Sequence, residues 1–208
     1  MKLYYLPGAC PLAVHIVLEW IGRPFDAVRM SRSALKSPEY LALNPNGSVP
    51  TLVEDDGWVL VENVAILNYL ADSHPQAGLG GDGSARGRAR VNRWLGMLNS
   101  DVHKAFLPLF QPGRFLDDGE QHDALKAKAR EAVRTLLARI DADLAGDGRP
   151  WLAGDQPSIA DPYLYVVLRW AAGTGVELDG LQALAAFRSR IEADPAVQRA
   201  LAAEGLTT

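Results

Sequence analysis

Apolar and polar positions along the first part of the chain, up to about His74, switch between the strand period and the helix period. Lys2–Leu6 is a short segment of high β-propensity, and Pro11–Ile21 carries apolar residues at helical spacing. Phe25–Met30 returns to alternation. Because a helix lies between the two segments with strand patterns, we expect the second strand to run parallel to the first.

A hairpin and a further helix complete this part of the chain. Ser37–Leu43 predicts one helical turn. Two short apolar segments, Pro50–Glu54 and Trp58–Val61, are joined by Asp55-Asp56-Gly57, and an Asp-Gly pair is a strong hairpin signal. Glu62–Ser73 has helical spacing again. The order βαβ-α-ββα predicts an α/β domain with a mixed four-stranded sheet and helices on both faces.

No strand pattern follows this α/β segment. Residues 77–84 are rich in glycine and polar side chains, which is typical of a linker between a domain over 1–76 and an all-α domain over 85–208. Ala85–Phe110 predicts one long helix, bent or ended near Pro108. Further helices are predicted over Gln121–Leu144, Tyr163–Ala172, Leu181–Ala193 and Ala196–Glu204.

Ser158 and Asp161 have the spacing of a capping box, with Asp in place of the usual Glu. We expect Ser158 to cap the next helix and Asp161 to reach back to it. Pro162 fits the first turn of that helix, where its missing N–H is not needed.

Composition excludes several classes of protein. The chain has 208 residues, a formal net charge of −4 and no block of Lys and Arg, so we do not expect nucleic-acid binding. No apolar stretch has the roughly 18 residues that a membrane span needs, and the N-terminus lacks a signal-peptide pattern, so we expect a cytoplasmic protein. The single cysteine forms no internal disulfide, and no cluster has metal-ligand spacing, so we expect no metal.

That cysteine, Cys10, lies where the first strand passes through a Pro7-Gly8 turn into the first helix. The N–H groups and partial positive charge of a helix N-terminus favour a thiolate, the reactive form of cysteine. The alternative is a small buried hydrophobic residue. Cys10-Pro11-Leu12-Ala13 resembles a glutaredoxin-type active site without its second cysteine, which allows a mixed disulfide with a small thiol but no internal one.

Glu62 and Asn63 follow the fourth predicted strand and open a helix. In the simplest interpretation, an acidic residue in the first turn stabilises the helix dipole. In a functional interpretation, N–H groups at the helix start hold a carboxylate while Glu62 pairs with an ammonium group. Val49–Pro50 precedes the third strand, and most X–Pro bonds are trans.

Histidines and aromatic residues give weaker signals. Most lone histidines are surface or satisfied core residues, and His15, on the Cys10 helix, is the nearest rival of His103 as a functional histidine. Aromatic residues at helical spacing usually pack inward, so we interpret four of them as core residues, although any of them at the domain cleft would line a pocket for an apolar substrate. These four are Trp94, Phe106, Phe110 and Trp170.

Six motifs, in order, resemble those of bacterial beta-class glutathione transferases over essentially the whole chain. They are Tyr4-Tyr5-Leu6-Pro7-Gly8-Ala9-Cys10, Asn44-Pro45-Asn46-Gly47-Ser48-Val49-Pro50, Glu62-Asn63-Val64-Ala65-Ile66, His103-Lys104-Ala105-Phe106, Ser158-Ile159-Ala160-Asp161 and Arg199-Ala200-Leu201-Ala202-Ala203-Glu204-Gly205-Leu206. The resemblance implies a thioredoxin-like N-terminal domain, an all-helical C-terminal domain and a homodimer.

The resemblance also implies where glutathione binds. Cys10 lies near the glutathione sulfur, and Tyr5 and Ala9 of the same motif belong to the binding set. Val49–Pro50 is cis, so that the Val49 backbone pairs with the cysteinyl part of glutathione. Glu62 and Asn63 hold the γ-glutamyl end.

The helical domain contributes the remaining residues implied by the resemblance. His103 and Lys104 reach in and assist Cys10 in catalysis, and Asp101 reaches glutathione bound to the other subunit. A basic contact within residues 31–38 has two candidates, Arg32 and Lys36.

By this resemblance the chain is a glutathione transferase of bacterial detoxification, which joins the thiol of its cosubstrate glutathione to small hydrophobic electrophiles. Two alternatives stay open: glutaredoxin-like thiol–disulfide exchange through Cys10, and non-catalytic binding of glutathione or another ligand. The chain departs from many relatives at Pro11, where they carry serine, and at Gly96, where some carry asparagine.

Overall fold

The computed structural model describes residues 1–207. Its N-terminal part contains the predicted mixed four-stranded sheet, in the order β2-β1-β3-β4. The strand β1 pairs in parallel with β2 and antiparallel with β3, and β3 and β4 form the predicted antiparallel hairpin. The elements are β1 (Lys2–Tyr5), α1 (Pro11–Ile21), β2 (Asp26–Arg29), α2 (Pro38–Leu43), β3 (Thr51–Val53), β4 (Val59–Val61) and α3 (Asn63–Ser73).

Helix α1 is buried along its first two turns on every side, because residues 11–18 are all shielded from solvent. It packs on β1 and α3 within the N-terminal part and on two C-terminal helices, α8 (Ala160–Gly173) and α10 (Pro195–Glu204). A helix that is apolar all round belongs in a core, and burying it stabilises the whole chain. Gly22 ends the helix in the left-handed conformation, with φ 73°.

The C-terminal part is helical, as predicted. One hydrophobic core runs from the sheet through α1 into these helices. The assignment of 1–76 and 85–208 to separate domains therefore stays a prediction. The remaining helices are α4 (Ala85–Met97), α5 (His103–Ala105), α6 (Leu107–Phe110), α7 (His122–Asp147) and α9 (Gln182–Glu192).

The helix predicted over Ala85–Phe110 has its predicted break near Pro108, but it is not regular before that point. A π-helical segment, Leu98–Val102, interrupts it, and it breaks again at Phe106. Pro108 explains the second break, because proline has no N–H to bond the carbonyl four residues earlier. The π-helical segment widens the turn immediately before His103, and such segments are frequent at functional sites.

The capping box before α8 forms as predicted. The Asp161 carboxylate accepts hydrogen bonds from the Ser158 N–H at 2.7 Å and the Ser158 hydroxyl at 2.8 Å. The Ser158 hydroxyl in turn accepts the Ala160 N–H at 3.3 Å. Asp161 also accepts the Leu152 N–H at 2.9 Å, so the box holds the preceding loop to the helix start. Within residues 1–207, no helix combines the length and apolarity needed to cross a membrane.

Candidate active site

Two adjoining cavities lie between the N-terminal part and the helical part, and four residues line both: Cys10, Ser48, Val49 and His103. The smaller cavity has a volume of about 110 Å³ and extends toward the start of α3. The larger has a volume of about 510 Å³ and extends toward α2 and α6. The motif residues Cys10 and His103 therefore meet at one place although 93 positions separate them in the sequence (103 − 10).

Cys10 is the N-cap residue of α1, as its sequence position predicts. Its thiol is partly buried and lies 3.7 Å from the Val49 carbonyl, to which it donates a weak hydrogen bond. The pKa of the Cys10 thiol is raised to about 12, chiefly by burial; a hydrogen bond from its own backbone N–H lowers the pKa, and the Glu62 carboxylate, the weakest of the three influences, raises it. The helix N-terminus, which favours a thiolate, therefore does not decide the protonation state: desolvation outweighs it, and the thiol of the free protein is neutral at pH 7.

The alkylation rate of Cys10 is expected to rise about tenfold per pH unit from about pH 7 to pH 10, because the thiolate fraction rises in that proportion below the pKa. Iodoacetamide labelling followed by mass spectrometry measures this rate at the only cysteine of the chain. A short peptide with one exposed cysteine serves as the control, since its rate levels off above about pH 8.5. A plateau for Cys10 anywhere below about pH 10 would contradict the neutral thiol.

The segment that presents Val49 is held by a buried asparagine. Asn44 donates hydrogen bonds to the Ser48 carbonyl at 2.8 Å and the Thr51 hydroxyl at 3.0 Å, and accepts the Asn46 N–H at 3.1 Å. The Val49–Pro50 bond is cis, as the resemblance implies, and Pro50 lines the smaller cavity. These contacts give a structural role to the Asn44 end of the motif.

Glu62 and Asn63 both line the smaller cavity. Glu62 has φ 75°, a conformation uncommon outside glycine that is often found at functional sites. Asn63 is only 5% exposed, and neither its amide nitrogen nor its amide oxygen has a hydrogen-bond partner. An unpaired buried amide is costly, so this side chain calls for a polar ligand in the cavity.

Of the four remaining predicted site residues, one lines a cavity and three do not. Ala9 lines the larger cavity. Within the described chain, Lys104 and Asp101 are exposed and line neither cavity. Tyr5 is buried and lines neither cavity; its hydroxyl donates to the Ala203 carbonyl at 3.5 Å.

Contacts from the helical part fix the turn before Cys10. The Glu204 carboxylate accepts the Gly8 N–H at 2.8 Å, and the Trp170 indole N–H donates to the Gly8 carbonyl at 2.8 Å. The other Glu204 oxygen lies 3.0 Å from Nδ1 of His15, and both side chains are buried. His15 therefore anchors α10 and does not face the cavities.

The aromatic residues divide into two groups. Trp94 and Phe106 are fully buried, which confirms their interpretation as core. Phe110 and Trp170 line the larger cavity, which is the alternative that the sequence left open; Phe110 is 44% exposed, and Trp170 also packs against the core. Phe110 and Trp170 meet edge to face with ring centroids 5.3 Å apart, because α6 ends beside α8 at the domain cleft.

The two cavities differ in charge. The smaller is lined by the carboxylate of Glu62, whereas the larger is lined by Arg32 and Lys36 and, among the described residues, by no carboxylate. A ligand with an ammonium group at one end and a carboxylate at the other therefore matches the pair of cavities. Within residues 1–207, no group of three or more His, Cys, Asp and Glu side chains lies close enough to hold a metal ion.

Sequence reasoning missed two residues beside His103. The Tyr163 hydroxyl lies 2.7 Å from Nδ1 of His103 and donates to the Asn99 amide oxygen at 3.1 Å. Tyr163 occurs in the apolar pattern of α8, which predicts only a core residue, and Asn99 belongs to none of the recognised motifs. Burial lowers the pKa of His103, so its imidazole is neutral at pH 7.

Two family models match the chain in the order in which the two parts of the fold occur. The model described as "Glutathione S-transferase, N-terminal domain" matches residues 9–73, and the model described as "Glutathione S-transferase, C-terminal domain" matches residues 98–195.

Individual relatives match over the full length. Glutathione S-transferase GST-4.5 of Xanthomonas campestris pv. campestris is 52% identical over 99% of this chain and 100% of its own. The structure of a sphingomonad glutathione S-transferase complexed with glutathione is 44% identical with a TM-score of 0.86, covering 100% of both chains. The beta-class glutathione S-transferase of Sphingomonas chungbukensis is 41% identical with a TM-score of 0.87, again covering 100% of both chains. The chain therefore belongs to the glutathione S-transferase family.

Proposed function

We propose that this protein is a glutathione transferase, which binds glutathione across the two cavities and joins its sulfur to small hydrophobic electrophiles. The observation that carries the proposal is the separation of charge about Cys10. A carboxylate and an unpartnered buried amide lie on one side, and two cationic side chains lie on the other. Glutathione has an ammonium group and a carboxylate at its γ-glutamyl end, a second carboxylate at its glycyl end, and a thiol between them.

These charges give glutathione one orientation. The γ-glutamyl end enters the smaller cavity, where Glu62 pairs with its ammonium group, and Asn63 and the N–H groups at the start of α3 bind its carboxylate. The glycyl carboxylate then faces Arg32 or Lys36. The thiol comes to lie beside Cys10, Val49 and His103, which are among the four residues that line both cavities.

The chemistry requires the glutathione thiol to lose its proton. Neutral His103 accepts that proton, the electron pair of the S–H bond stays on sulfur, and the sulfur attacks an electrophilic carbon. With an aryl halide, a C–S bond forms and halide leaves. Phe110, Trp170 and Leu107 give the larger cavity an apolar wall for that second substrate.

Other parts of the proposal concern the assembly and its setting. Asp101 is exposed and is therefore available to glutathione bound to a second copy of the chain. Lys104 is exposed as well and is available to the substrate. We therefore propose a homodimer that acts in detoxification in a bacterial cytoplasm. The bacterial source of the relatives supports the bacterial setting alone.

Replacing Cys10 by alanine separates the transferase from the thiol-exchange alternative. Because glutathione supplies the attacking sulfur, conjugation to 1-chloro-2,4-dinitrobenzene is expected to stay within about tenfold of the unmodified protein, about 1.4 kcal/mol in the barrier. The neutral Cys10 thiol makes exchange slow even in the unmodified protein.

The control is incubation with oxidised glutathione and mass spectrometry, in which any mixed disulfide on the unmodified protein disappears in the variant. Loss of conjugation by more than about a hundredfold, about 2.7 kcal/mol, would contradict the proposal. So would saturable glutathione binding by calorimetry without turnover of any electrophile in a broad panel, which is the behaviour of a carrier.

A further inference from the structure

Tyr163 joins His103 and Asn99 in a hydrogen-bond network to which the proposed chemistry assigns no role. It lies on α8 with its side chain fully buried. Its hydroxyl lies 2.7 Å from Nδ1 of His103 and 3.1 Å from the amide oxygen of Asn99. His103 and Asn99 both line the smaller cavity, so both ends of this hydrogen-bond network lie where glutathione would bind.

The protons available in this network decide which group donates in each of its two hydrogen bonds. The Tyr163 hydroxyl has one proton to donate, and the amide oxygen of Asn99 can only accept. Both contacts are therefore hydrogen bonds only if Tyr163 donates to Asn99 and accepts from Nδ1–H of His103. A neutral imidazole with its proton on Nδ1 carries a lone pair on Nε2.

The aromatic rings packed against His103 restrict the rotation of its imidazole. The Trp170 ring contacts it edge to face at 4.7 Å between centroids, and the Tyr163 ring does so at 6.0 Å. Trp170 is itself fixed by its hydrogen bond to the Gly8 carbonyl. Burial, followed by the nearby Cys10, raises the pKa of Tyr163 and outweighs a lowering by the Asn63 amide, so the hydroxyl keeps its proton.

We propose that Tyr163, together with Asn99, is a positioning residue that holds His103 in the tautomer protonated on Nδ1, leaving Nε2 to accept the proton of the substrate thiol. This inference rests on the proposed function for its chemical purpose. Tyr163 does not touch the reacting atoms; it acts through His103.

The tautomer is measured on the free protein by NMR of ¹⁵N-labelled histidine, in which a protonated and an unprotonated ring nitrogen have clearly separated shifts. Loss of one set of signals in His103→Gln assigns the residue among the four histidines. The unmodified protein is expected to show His103 protonated on Nδ1. Protonation on Nε2 would overturn the inference.

Two variants test the role of each partner separately. In Asn99→Ala the Tyr163 hydroxyl loses its acceptor and donates to Nδ1 of His103, so the His103 proton is expected to move to Nε2. In Tyr163→Phe no partner remains and the population protonated on Nδ1 is expected to fall. Because Asn99 is only half-buried, its variant keeps the test available if Tyr163→Phe does not fold. An unchanged tautomer in Asn99→Ala overturns the inference.

Kinetics give the second readout. In Tyr163→Phe, kcat for conjugation is expected to fall about tenfold. General-base catalysis contributes roughly a hundredfold to the rate, and the variant loses part of that contribution. The glutathione Kd, measured by calorimetry, is expected to change less than about twofold. The matched control is Tyr165→Phe, a fully buried tyrosine on the same helix whose hydroxyl bonds Glu192 and Arg169 instead. An equal loss of kcat in both variants would overturn the positioning role.

The failures of the two proposals can be told apart. If the unmodified protein shows no affinity for glutathione, the proposed function fails, although the tautomer of His103 is still readable on the free protein. If glutathione binds and is conjugated but His103 is protonated on Nε2, the function stands and the positioning role of Tyr163 is wrong.

Discussion

Replacing Asp161 by alanine is expected to lower the free energy of unfolding by about 3–5 kcal/mol, because three buried donors lose their acceptor at once and each costs roughly 1–3 kcal/mol when unpaired. These donors are the Leu152 N–H and the N–H and hydroxyl of Ser158. Asp161 itself is fully buried, so water cannot replace it. Chemical denaturation followed by circular dichroism measures the change.

Two further variants make the Asp161 prediction specific. Asp161→Asn keeps one acceptor oxygen of similar shape, so we expect a smaller loss than in Asp161→Ala. Asp155→Ala removes an exposed carboxylate from the same loop and is expected to change the free energy of unfolding by less than about 0.5 kcal/mol. Equal stability of Asp161→Ala and Asp155→Ala would show that the capping box does not hold this part of the fold.

Replacing Glu62 by glutamine is expected to weaken glutathione binding about 10- to 100-fold, since a hydrogen bond to a charged group contributes roughly 1.5–3 kcal/mol. The variant keeps the size of the side chain and removes only its charge. Glu62 is the one carboxylate that the described residues place on the smaller cavity, so we assign the ammonium group of glutathione to it. Calorimetric titration of both proteins at one ionic strength measures the ratio of Kd values.

A glutathione analogue that lacks the α-amino group is the matched ligand control for this variant. Without an ammonium group, the analogue is expected to bind the unmodified protein and Glu62→Gln with the same Kd. Glu39→Gln, at an exposed site on α2, is expected to leave the glutathione Kd unchanged. If Glu62→Gln weakened both ligands equally, Glu62 would shape the cavity and not pair with the amine.

Much of the fold is predictable because local rules and tertiary packing agree in this chain. The Asp-Gly turn gives the β3–β4 hairpin, the crossover through α1 gives the parallel β1–β2 pair, and Ser158 with Asp161 starts α8. Helix bounds differ from the predictions by a few residues, as caps and end turns usually do. The π-helical segment before His103 carries no sequence pattern that would predict it.

The site is less predictable, because burial and long-range contacts decide its chemistry. The helix N-terminus at Cys10 is visible in the sequence, whereas the desolvation that keeps its thiol neutral depends on the packing around it. Phe110 and Trp170 have the spacing of core residues, and only the meeting of α6 and α8 at the cleft exposes them to the larger cavity. The partnership of Tyr163 with His103 joins positions 60 apart.

Contacts between the two parts of the chain explain how the fold serves the site. Glu204 and Trp170 each bond one backbone group of Gly8, so the turn that sets Cys10 is held from the helical side. His103 comes from the same side and the Val49 carbonyl from the other, and the shared core keeps them in place. The cleft is therefore a product of both parts.

A crystal structure of the protein with glutathione tests the orientation of this ligand most directly. We expect the γ-glutamyl end beside Glu62 and Asn63, the glycyl carboxylate facing Arg32 or Lys36, and the thiol in contact with Cys10 and His103. Glutathione in the reverse direction, or bound away from Cys10, would contradict the account.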